Sequence, residues 1–411
     1  MKKLLLLMML LLTACVTFQD QSPLITEVVK FDLPPATVVP TKLPTATPTN
    51  LPLPSPTALP TITPTPSIID SYPEDGYGPL GFPSHINPLT GLPVENPDLL
   101  ERRPVAVKIS NGPRSVRPQW GLSLADHVFE YYQEAGRTRF NAIFYGQDAE
   151  LAGPIRSARF TDEHIIRSYK AVFAYGSADY RVLWRLLNTD FWNRMYSVTD
   201  FPCPPTAQFP TCRTDPNGWN HLMTDTAALS QYFSDKGIGN GRQFLEGLAF
   251  NFTPPADGTL GKQITLRYSQ SHYNKWEYQP ESGRYIRYQD SVNDLNGGQD
   301  EAFELLTDQL NDRIIAADNV VVLLADHSYF SRTPEMLEIN LLGYGSAYLF
   351  RDGQAYLIDW GRPTIEDLIY LTYPDGSRFP LKPGTTWFQI LGSSSLLSVN
   401  ESDWRFEYRT P

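Results

Sequence analysis

The chain has 411 residues, of which 41% are hydrophobic, with 34 Lys and Arg against 45 Asp and Glu and a net charge of −11. This acidic balance excludes general binding to nucleic acid, because a phosphate backbone requires a basic surface, and it favours solubility. Beyond the N-terminal segment, no apolar run approaches the roughly 20 residues that a helix needs to cross a bilayer.

The first fifteen residues have the pattern of a bacterial lipoprotein leader. Two lysines and the apolar run 4–12 precede residues 12–15 (LTAC), which resemble the lipobox. In that motif the thiol receives a diacylglyceryl group and the leader is cut before the cysteine. We therefore predict a signal peptide at residues 1–14 and a lipidated Cys15, which anchors the protein at the extracytoplasmic face of the bacterial cell membrane. Loss of the two leader lysines takes the net charge from −11 to −13.

Two alternatives to this interpretation are an uncleaved membrane anchor and a plain secretory leader. The apolar run at residues 4–12 is less than half of the roughly 20 residues that a spanning helix needs. A plain secretory leader would not require Cys15. Both alternatives are therefore weaker than the lipoprotein interpretation.

A tract rich in Pro and Thr follows the lipobox, from about residue 21 to residue 67. Frequent proline forbids helix and favours an extended polyproline II path. We predict that residues 15–74 form the lipidated cysteine and a semi-rigid stalk. The composition also permits O-glycosylation of the threonines.

Strands alternate with helices in the next segment, residues 75–245. The predicted strands are 104–110, 127–132, 138–146 and 171–175, and the predicted helices are 161–169, 179–187 and 225–235. Thr161 and Thr224 are the expected N-caps of two of these helices. The alternation predicts a three-layer α/β domain.

Cys203 and Cys212 are the two cysteines that remain if Cys15 carries lipid. They are nine residues apart in a proline-rich loop, in a compartment that is oxidising. A disulfide is the favoured interpretation, and it would stabilise the fold by about 2–3 kcal/mol. A metal site is disfavoured, because two sulfurs without nearby histidines supply half of the ligands.

The remaining segment, residues 246–411, is predicted to be mostly β. Its predicted strands are 263–269, 273–278, 284–289, 319–325, 336–341, 347–351, 354–360, 368–373 and 386–391. Turns are predicted at 282–283, 352–353 and 374–376, where glycine adopts a positive φ. One helix is expected at 300–310. The chain as a whole is therefore predicted to be α+β, with an α/β domain followed by a β-rich domain.

Several motifs in one order resemble the YerB-like bacterial lipoproteins, over most of the chain from about residue 87 to residue 391. They are residues 87–93 (NPLTGLP), 117–123 (RPQWGLS), 138–140 (TRF), 153–159 (GPIRSAR), 348–353 (YLFRDG) and 381–387 (LKPGTTW). This resemblance implies two domains of uncharacterised function behind a lipid anchor. The chain departs from the pattern at His127, where we expect an aliphatic residue, in the loop of Cys203 and Cys212, and at residues 297–310.

A cluster of arginines is the main candidate for chemistry. The candidate anion-binding residues are Arg117, Arg137, Arg139, Arg156 and Arg159, and their acidic neighbours in the same segment are Asp126, Glu130 and Glu134. One guanidinium group can bind two oxygens of a phosphate or carboxylate at the same time. Loops after the central strands of α/β sheets are common ligand sites. The loop at 156–159 also precedes a helix start, where free amides favour anions. The alternative is that these acids and arginines simply pair with one another across a hairpin.

Other kinds of site have weaker support. Ser157 has no recognisable His and Asp partners and no nucleophile elbow. His127 and Glu130 are three apart in a strand, so they point to opposite faces, and we predict no metal and no cofactor. Aromatic residues at 276, 278, 285 and 288 alternate along strands and fit either a sugar-stacking surface or a core.

Three hypotheses for function follow. The leading one is a non-catalytic binding or scaffold protein at the cell envelope, with a cell-wall polymer or an envelope protein as partner. The second is an enzyme acting on an anionic wall precursor, because residues 138–140, 153–156 and 174–176 are faintly similar to the LytR-CpsA-Psr phosphotransferases. That similarity implies that Arg139, Arg156 and Arg159 hold phosphate oxygens. The third is a transport-associated receptor for a small solute.

Overall fold

The computed structural model describes residues 69, 71–197, 201–218 and 220–411. The predicted leader 1–14, Cys15 and most of the stalk lie outside these residues and stay predictions. In the described part of the chain, no helix combines the length and the apolar character that a bilayer crossing requires.

The helices and strands follow the predicted alternation closely in the first half. The α-helices of the described residues are α1 (Phe160–Tyr169), α2 (Tyr180–Leu187) and α3 (Thr226–Asp235), and short 3-10 helices occupy Pro97–Glu101, Arg114–Val116, Leu122–Leu124 and Trp192–Arg194. The strands up to residue 245 are β1 (Val105–Ser110), β2 (His127–Tyr132), β3 (Thr138–Phe144), β4 (Val172–Tyr175), β5 (Met195–Ser197), β6 (Thr211–Arg213) and β7 (Leu222–Thr224).

The second half is built almost entirely from strands. They are β8 (Ala249–Phe250), β9 (Thr259–Leu260), β10 (Gln263–Ser269), β11 (His272–Gln279), β12 (Arg284–Asp290), β13 (Phe303–Leu305), β14 (Ala316–Ala317), β15 (Asn319–Arg332), β16 (Glu335–Asn340), β17 (Gly343–Arg351), β18 (Gln354–Arg362), β19 (Tyr370–Thr372), β20 (Pro380–Leu381), β21 (Thr386–Gly392), β22 (Leu396–Asn400) and β23 (Asp403–Glu407). The predicted α+β class with a mostly β second half is confirmed.

One 12-stranded sheet contains strands from both predicted halves, in the order β19-β18-β17-β15-β21-β2-β3-β1-β4-β5, with β16 on β15 and β9 on β18. The halves meet where β2 pairs in parallel with β21, from His127 opposite Thr386 to Tyr131 opposite Ile390. Phe129 stacks on Phe388 across this junction, with ring centroids 4.6 Å apart. Such a pair stabilises by about 0.5–1.5 kcal/mol beyond its buried area. The division at residue 245 stays a prediction, and the sheet shows that the two segments are joined edge to edge.

Both faces of this sheet are covered, which makes three layers. On one face α1 and α2 pack in a core with Ala106, Tyr131 and Phe173. On the other face α3 packs together with a seven-stranded sheet, ordered β13-β12-β11-β10-β23-β22 with β14 on β12. Trp276 and Tyr285 of this second sheet are fully buried in that core. Two of the aromatic residues considered for sugar stacking are therefore core residues.

The prediction of a helix at residues 300–310 is wrong. Strand β13 and an irregular loop occupy this segment, and the buried carboxylate of Asp308 organises the loop. That carboxylate accepts hydrogen bonds at 2.7 Å from the backbone N–H groups of Gly121 and Ser123 and at 2.9 Å from that of Leu310. A helical propensity is weak compared with three hydrogen bonds to a buried charge, so the tertiary contact determines the local structure.

The predictions of Thr161 and Thr224 as N-caps are also wrong. Helix α1 begins at Phe160, and the carboxylate of Asp162 in its first turn accepts a hydrogen bond of 2.7 Å from the backbone N–H of Arg159. Helix α3 begins after Asp225, whose carboxylate accepts a hydrogen bond from the backbone of Ala228 at 3.0 Å. The predicted disulfide is present between Cys203 and Cys212, whose Cα atoms are 4.7 Å apart.

Candidate functional site

The candidate site lies at the edge of the main sheet where its parallel strands end. Strands β1, β2, β4 and β5 run in one direction, because β3 is antiparallel to both β1 and β2 while β4 is parallel to β1 and β5. Arg139, near the start of β3, is opposite Ser110 of β1 and Tyr131 of β2. The carboxyl edge of parallel strands is where open α/β sheets most often bind ligands.

The segment before α1 is fixed between the ends of β1 and β4. The Arg156 backbone N–H donates to Lys108 O at 2.8 Å, and its carbonyl accepts from Gly176 at 2.9 Å. Gly153 starts this segment with φ +156°, and a Cβ there would lie 2.9 Å from the backbone oxygen of Leu222 and 2.5 Å from Met223 Sδ. Only glycine fits this close approach without displacing its neighbour.

Glu134 is held between two arginines at this edge. Its Oε2 atom accepts a hydrogen bond of 2.7 Å from Arg159 Nε, and its Oε1 atom contacts Nη2 of the same guanidinium. Arg139 Nη2 lies 3.4 Å from the same Oε1, and Arg139 Nη1 donates to the carbonyl of Ser157 at 2.6 Å. Burial acts to raise the pKa of Glu134, but the hydrogen bonds and charges of the arginines outweigh it and hold the pKa below its usual value.

Two further arginines at this edge have no carboxylate partner within the described residues. The guanidinium of Arg156 contacts the side-chain oxygen of Asn220 and lies 3.4 Å from Ser110 Oγ, both uncharged groups. Burial lowers the pKa of Arg156, and the nearby charge of Arg137 lowers it further. Arg137 itself is exposed. Burial and then the charge of Arg159 lower the pKa of Arg139 to about 10, with Arg156 acting in the same direction.

A fully buried polar network lies beneath these arginines. Lys108 Nζ is 3.1 Å from the Oδ1 atom of Asp162, and neither side chain is exposed. The same Oδ1 accepts from Asn141 at 2.8 Å and from the hydroxyl of Tyr131. Burial lowers the pKa of Lys108 to about 7; the charge of Asp162 opposes this effect, and the charge of Arg139 adds to it. Because Asp162 also holds the backbone of Arg159, the network positions this arginine.

Five of the eight predicted residues lie together, namely Glu134, Arg137, Arg139, Arg156 and Arg159. Arg117 lies elsewhere, where its guanidinium bonds to Asp290 of β12 at 3.1 Å and to the backbone of Asn111 at 2.7 Å. Its side chain is 2% exposed. It therefore has its acceptors within the fold.

Two predicted acidic residues also have structural partners. Glu130 forms a buried pair of 2.8 Å with Arg287. Asp126 accepts hydrogen bonds from the backbone N–H groups of Tyr145 at 2.6 Å and Gly146 at 3.0 Å. Burial raises the pKa of Asp126 to about 6, against the lowering effect of these bonds. Both carboxylates therefore have their partners within the fold, and these partners are not the arginines of the hairpin.

Sequence reasoning missed Lys108, Asp162 and Asn220. The signal for Lys108 was present, since a lysine in the middle of an otherwise apolar strand needs a buried partner. Asn220 had no local signal, because its position depends on the loop that follows the disulfide.

In the described residues, no three side chains of His, Cys, Asp or Glu group as metal ligands would.

Comparison with known proteins identifies relatives over most of the chain. The family described as protein of unknown function DUF3048 matches with its N-terminal domain at residues 89–239 and with its C-terminal domain at residues 264–388. A Bacillus subtilis (strain 168) protein named "Putative lipoprotein YerB" is 26% identical over 332 residues, covering 77% of this chain and 89% of the relative. The crystal structure of YerB protein from Bacillus subtilis is similar with a TM-score of 0.61 and 26% sequence identity, covering 74% of this chain and 96% of that chain.

These matches agree in order and extent with the motifs at residues 87–93, 153–159 and 381–387, and the resemblance predicted from those motifs is confirmed. The chain belongs to the DUF3048 family of YerB-like proteins.

Proposed function

We propose that this protein is a non-catalytic binding protein of the cell envelope, and that it holds an anionic group at its arginine edge. We use this name for Arg137, Arg139, Arg156 and Arg159 together with Glu134. The observation that carries the proposal is that Arg139 and Arg159 share the single carboxylate of Glu134, while Arg156 acts on Arg139 and Arg137 acts on Arg156 at the same edge. Envelope anchoring is supported by the predicted lipidation of Cys15 and by the lipoprotein name of the relative.

The electrostatic balance favours an anion as ligand. The chain carries a net charge of −11, yet this edge concentrates like positive charges that lower one another's pKa values. Half-buried like charges are unfavourable unless a counter-charge compensates them. Phosphate and carboxylate groups match the planar donors of guanidinium, and each such charge-assisted bond is stronger than a neutral one.

The groups near the arginine edge are better suited to binding than to catalysis. The hydroxyl of Ser157 bonds to that of Ser177 at 2.8 Å, and a serine cannot activate it as a base. A divalent ion would need free carboxylates, but Glu134 is bound to Arg159 and Asp179 is bound to Arg181 at 2.8 Å. The hydrogen bonds of Arg181 lower the pKa of Asp179 to about 2, so it stays ionised and paired. These contacts favour the binding hypothesis over the enzymatic one.

A titration with inorganic pyrophosphate tests the proposal. Full-length protein and its Arg156→Gln variant are compared by isothermal titration calorimetry, with Arg242→Gln as a control at another half-buried arginine, which pairs with Glu101. Removal of one charge-assisted contact is expected to weaken binding by roughly 10- to 100-fold. Equal affinities for the wild type and Arg156→Gln, or no binding to the wild type, would contradict the proposal.

A further inference from the structure

An apolar groove opens beside the arginine edge on the surface of α2. It has a volume of about 540 Å³. Its apolar lining consists of Phe160, Tyr180, Leu183, Trp184, Leu187 and Phe330. Volumes of this size are typical of small-molecule sites.

Helix α2 is apolar on both sides, which a helix at a protein surface normally is not. Val182 and Leu186 are buried against the sheet. On the opposite side Tyr180 is 73% exposed, Trp184 69% and Leu187 49%. These three residues follow the i, i+4, i+7 spacing of one helix face. A contiguous exposed apolar face of this kind marks a binding surface.

The groove adjoins the arginine edge. Arg159 and Phe160 are consecutive, and Arg159 is near enough to Asp179 to lower its pKa. Ser177, which bonds to Ser157, is three residues before Tyr180. A ligand with its charged end on the arginines would therefore extend along α2.

We infer that the groove takes the hydrocarbon chain of a single lipid phosphate whose phosphate group lies on the arginine edge. This inference deepens the proposed function and rests on it. The positive charge at one end and the apolar lining beyond it complement a phosphate ester with one alkyl or isoprenoid chain. Arg181 and Arg185 also line the groove, but apart from the hydroxyl of Tyr180 the lining has no side-chain acceptor, so a peptide would leave backbone N–H groups without partners and fits less well. A stable interface with a second copy of the chain needs about 20–30 residues per side, whereas eight residues line this groove.

The test uses the full-length chain in phosphatidylcholine nanodiscs, with empty nanodiscs to correct for partitioning. Methyl phosphate and octyl phosphate carry the same phosphate monoester and differ only in chain length. Burial of each methylene strengthens binding by up to about fourfold, so burial of about half of the added chain is expected to make octyl phosphate bind on the order of 100-fold more tightly. Trp184→Ser is expected to reduce this ratio about tenfold. Trp192→Ser is the matched control, because Trp192 is 57% exposed outside the groove.

The outcomes separate this inference from the proposed function. If methyl phosphate binds and Arg156→Gln weakens it, but octyl phosphate binds no more tightly, the groove inference is overturned and the proposed function stands. If neither phosphate binds, the proposed function fails and the inference fails with it.

Further controls address other occupants of the groove. Octyl maltoside binding as tightly as octyl phosphate would overturn the inference, because the phosphate would then contribute nothing. Binding only to nanodiscs with phosphatidylglycerol would overturn it in favour of a bilayer surface. A dimer that Trp184→Ser dissociates would overturn it in favour of a second copy.

Discussion

The buried pair of Glu130 and Arg287 gives the sharpest test of which charges are structural. Arg287 of β12 lies in the core between the two sheets, with no exposed side-chain surface. Its guanidinium carbon is 5.2, 5.1 and 4.7 Å from the ring centres of Phe140, Trp276 and Trp387. The carboxylate of Glu130 at 2.8 Å is its ionic partner. The pair therefore joins the second sheet to the main sheet.

The substitution Glu130→Gln keeps the size of the side chain and removes its charge. Every partner of this carboxylate is a donor, including Thr138 at 2.7 Å and Asn111 at 3.1 Å on one oxygen and Asn274 at 3.3 Å on the other. The amide NH₂ of glutamine would face donors and leave the buried guanidinium uncompensated. We expect a loss of about 3–5 kcal/mol in the free energy of unfolding, the usual cost of breaking a buried pair on one side.

Urea unfolding followed by fluorescence measures this loss, with Glu134→Gln as the matched comparison. Glu134 is 25% exposed and its pairs are partly solvated, so its substitution is expected to cost at most about 1 kcal/mol. The double variant Glu130→Gln with Arg287→Met is expected to recover most of the loss, because it replaces the orphaned charge by an apolar side chain. A loss below about 1 kcal/mol for Glu130→Gln would refute this account of the core.

Three further predictions concern stability. Replacing Cys203 and Cys212 together by serine is expected to cost about 2–3 kcal/mol in thermal unfolding under oxidising conditions, and an unchanged midpoint would argue against a stabilising disulfide. Burial lowers the pKa of His127 to about 4, so between pH 6.5 and 4 the unfolded chain binds a proton that the folded chain does not, and stability falls as the pH falls. His127→Leu should reduce this slope by about 1.4 kcal/mol per pH unit, and an unchanged slope in urea titrations from pH 7 to 4 would exclude His127 as a source. Asp308→Ala is expected to cost about 2–4 kcal/mol, because two backbone N–H groups before β2 lose their acceptor, and a loss under 1 kcal/mol would show that water replaces it.

The local elements were predictable because their signals are local. The apolar run of β1 and the spacing of Val182 and Leu186 in α2 each determine structure within a few residues. The pairing of β2 with β21 was not predictable in this way, since the pattern of a strand specifies which faces are buried but not which strand is its neighbour. The sheet shared by the two halves is therefore absent from the sequence-based expectation.

The candidate site shows the same difference between contacts of residues that are close in the chain and contacts of residues that are far apart in it. Arg139, Arg156 and Arg159 lie close together at the ends of neighbouring strands and the start of α1, and those elements are visible in the sequence. Arg117 was misplaced because its partner, Asp290, is 173 residues away. The partner of Glu130, Arg287, is 157 residues away. Motif spacing carries no information on such pairs.

What distinguishes a structural arginine from a binding arginine in this protein is whether the fold itself supplies the acceptors. Arg117 is 2% exposed and its donors face a carboxylate and two backbone carbonyls, so an added anion would have to displace bonds that already exist. Arg156 has only an amide and a hydroxyl, and Arg137 has no carboxylate partner among the described residues. Glu134 compensates Arg139 and Arg159, but the charges of Arg137 and Arg156 add repulsion at this edge, and repulsion between like charges opposes the compact state. We propose that an anion from outside the chain offsets this repulsion, which connects the electrostatics of the fold to its proposed function.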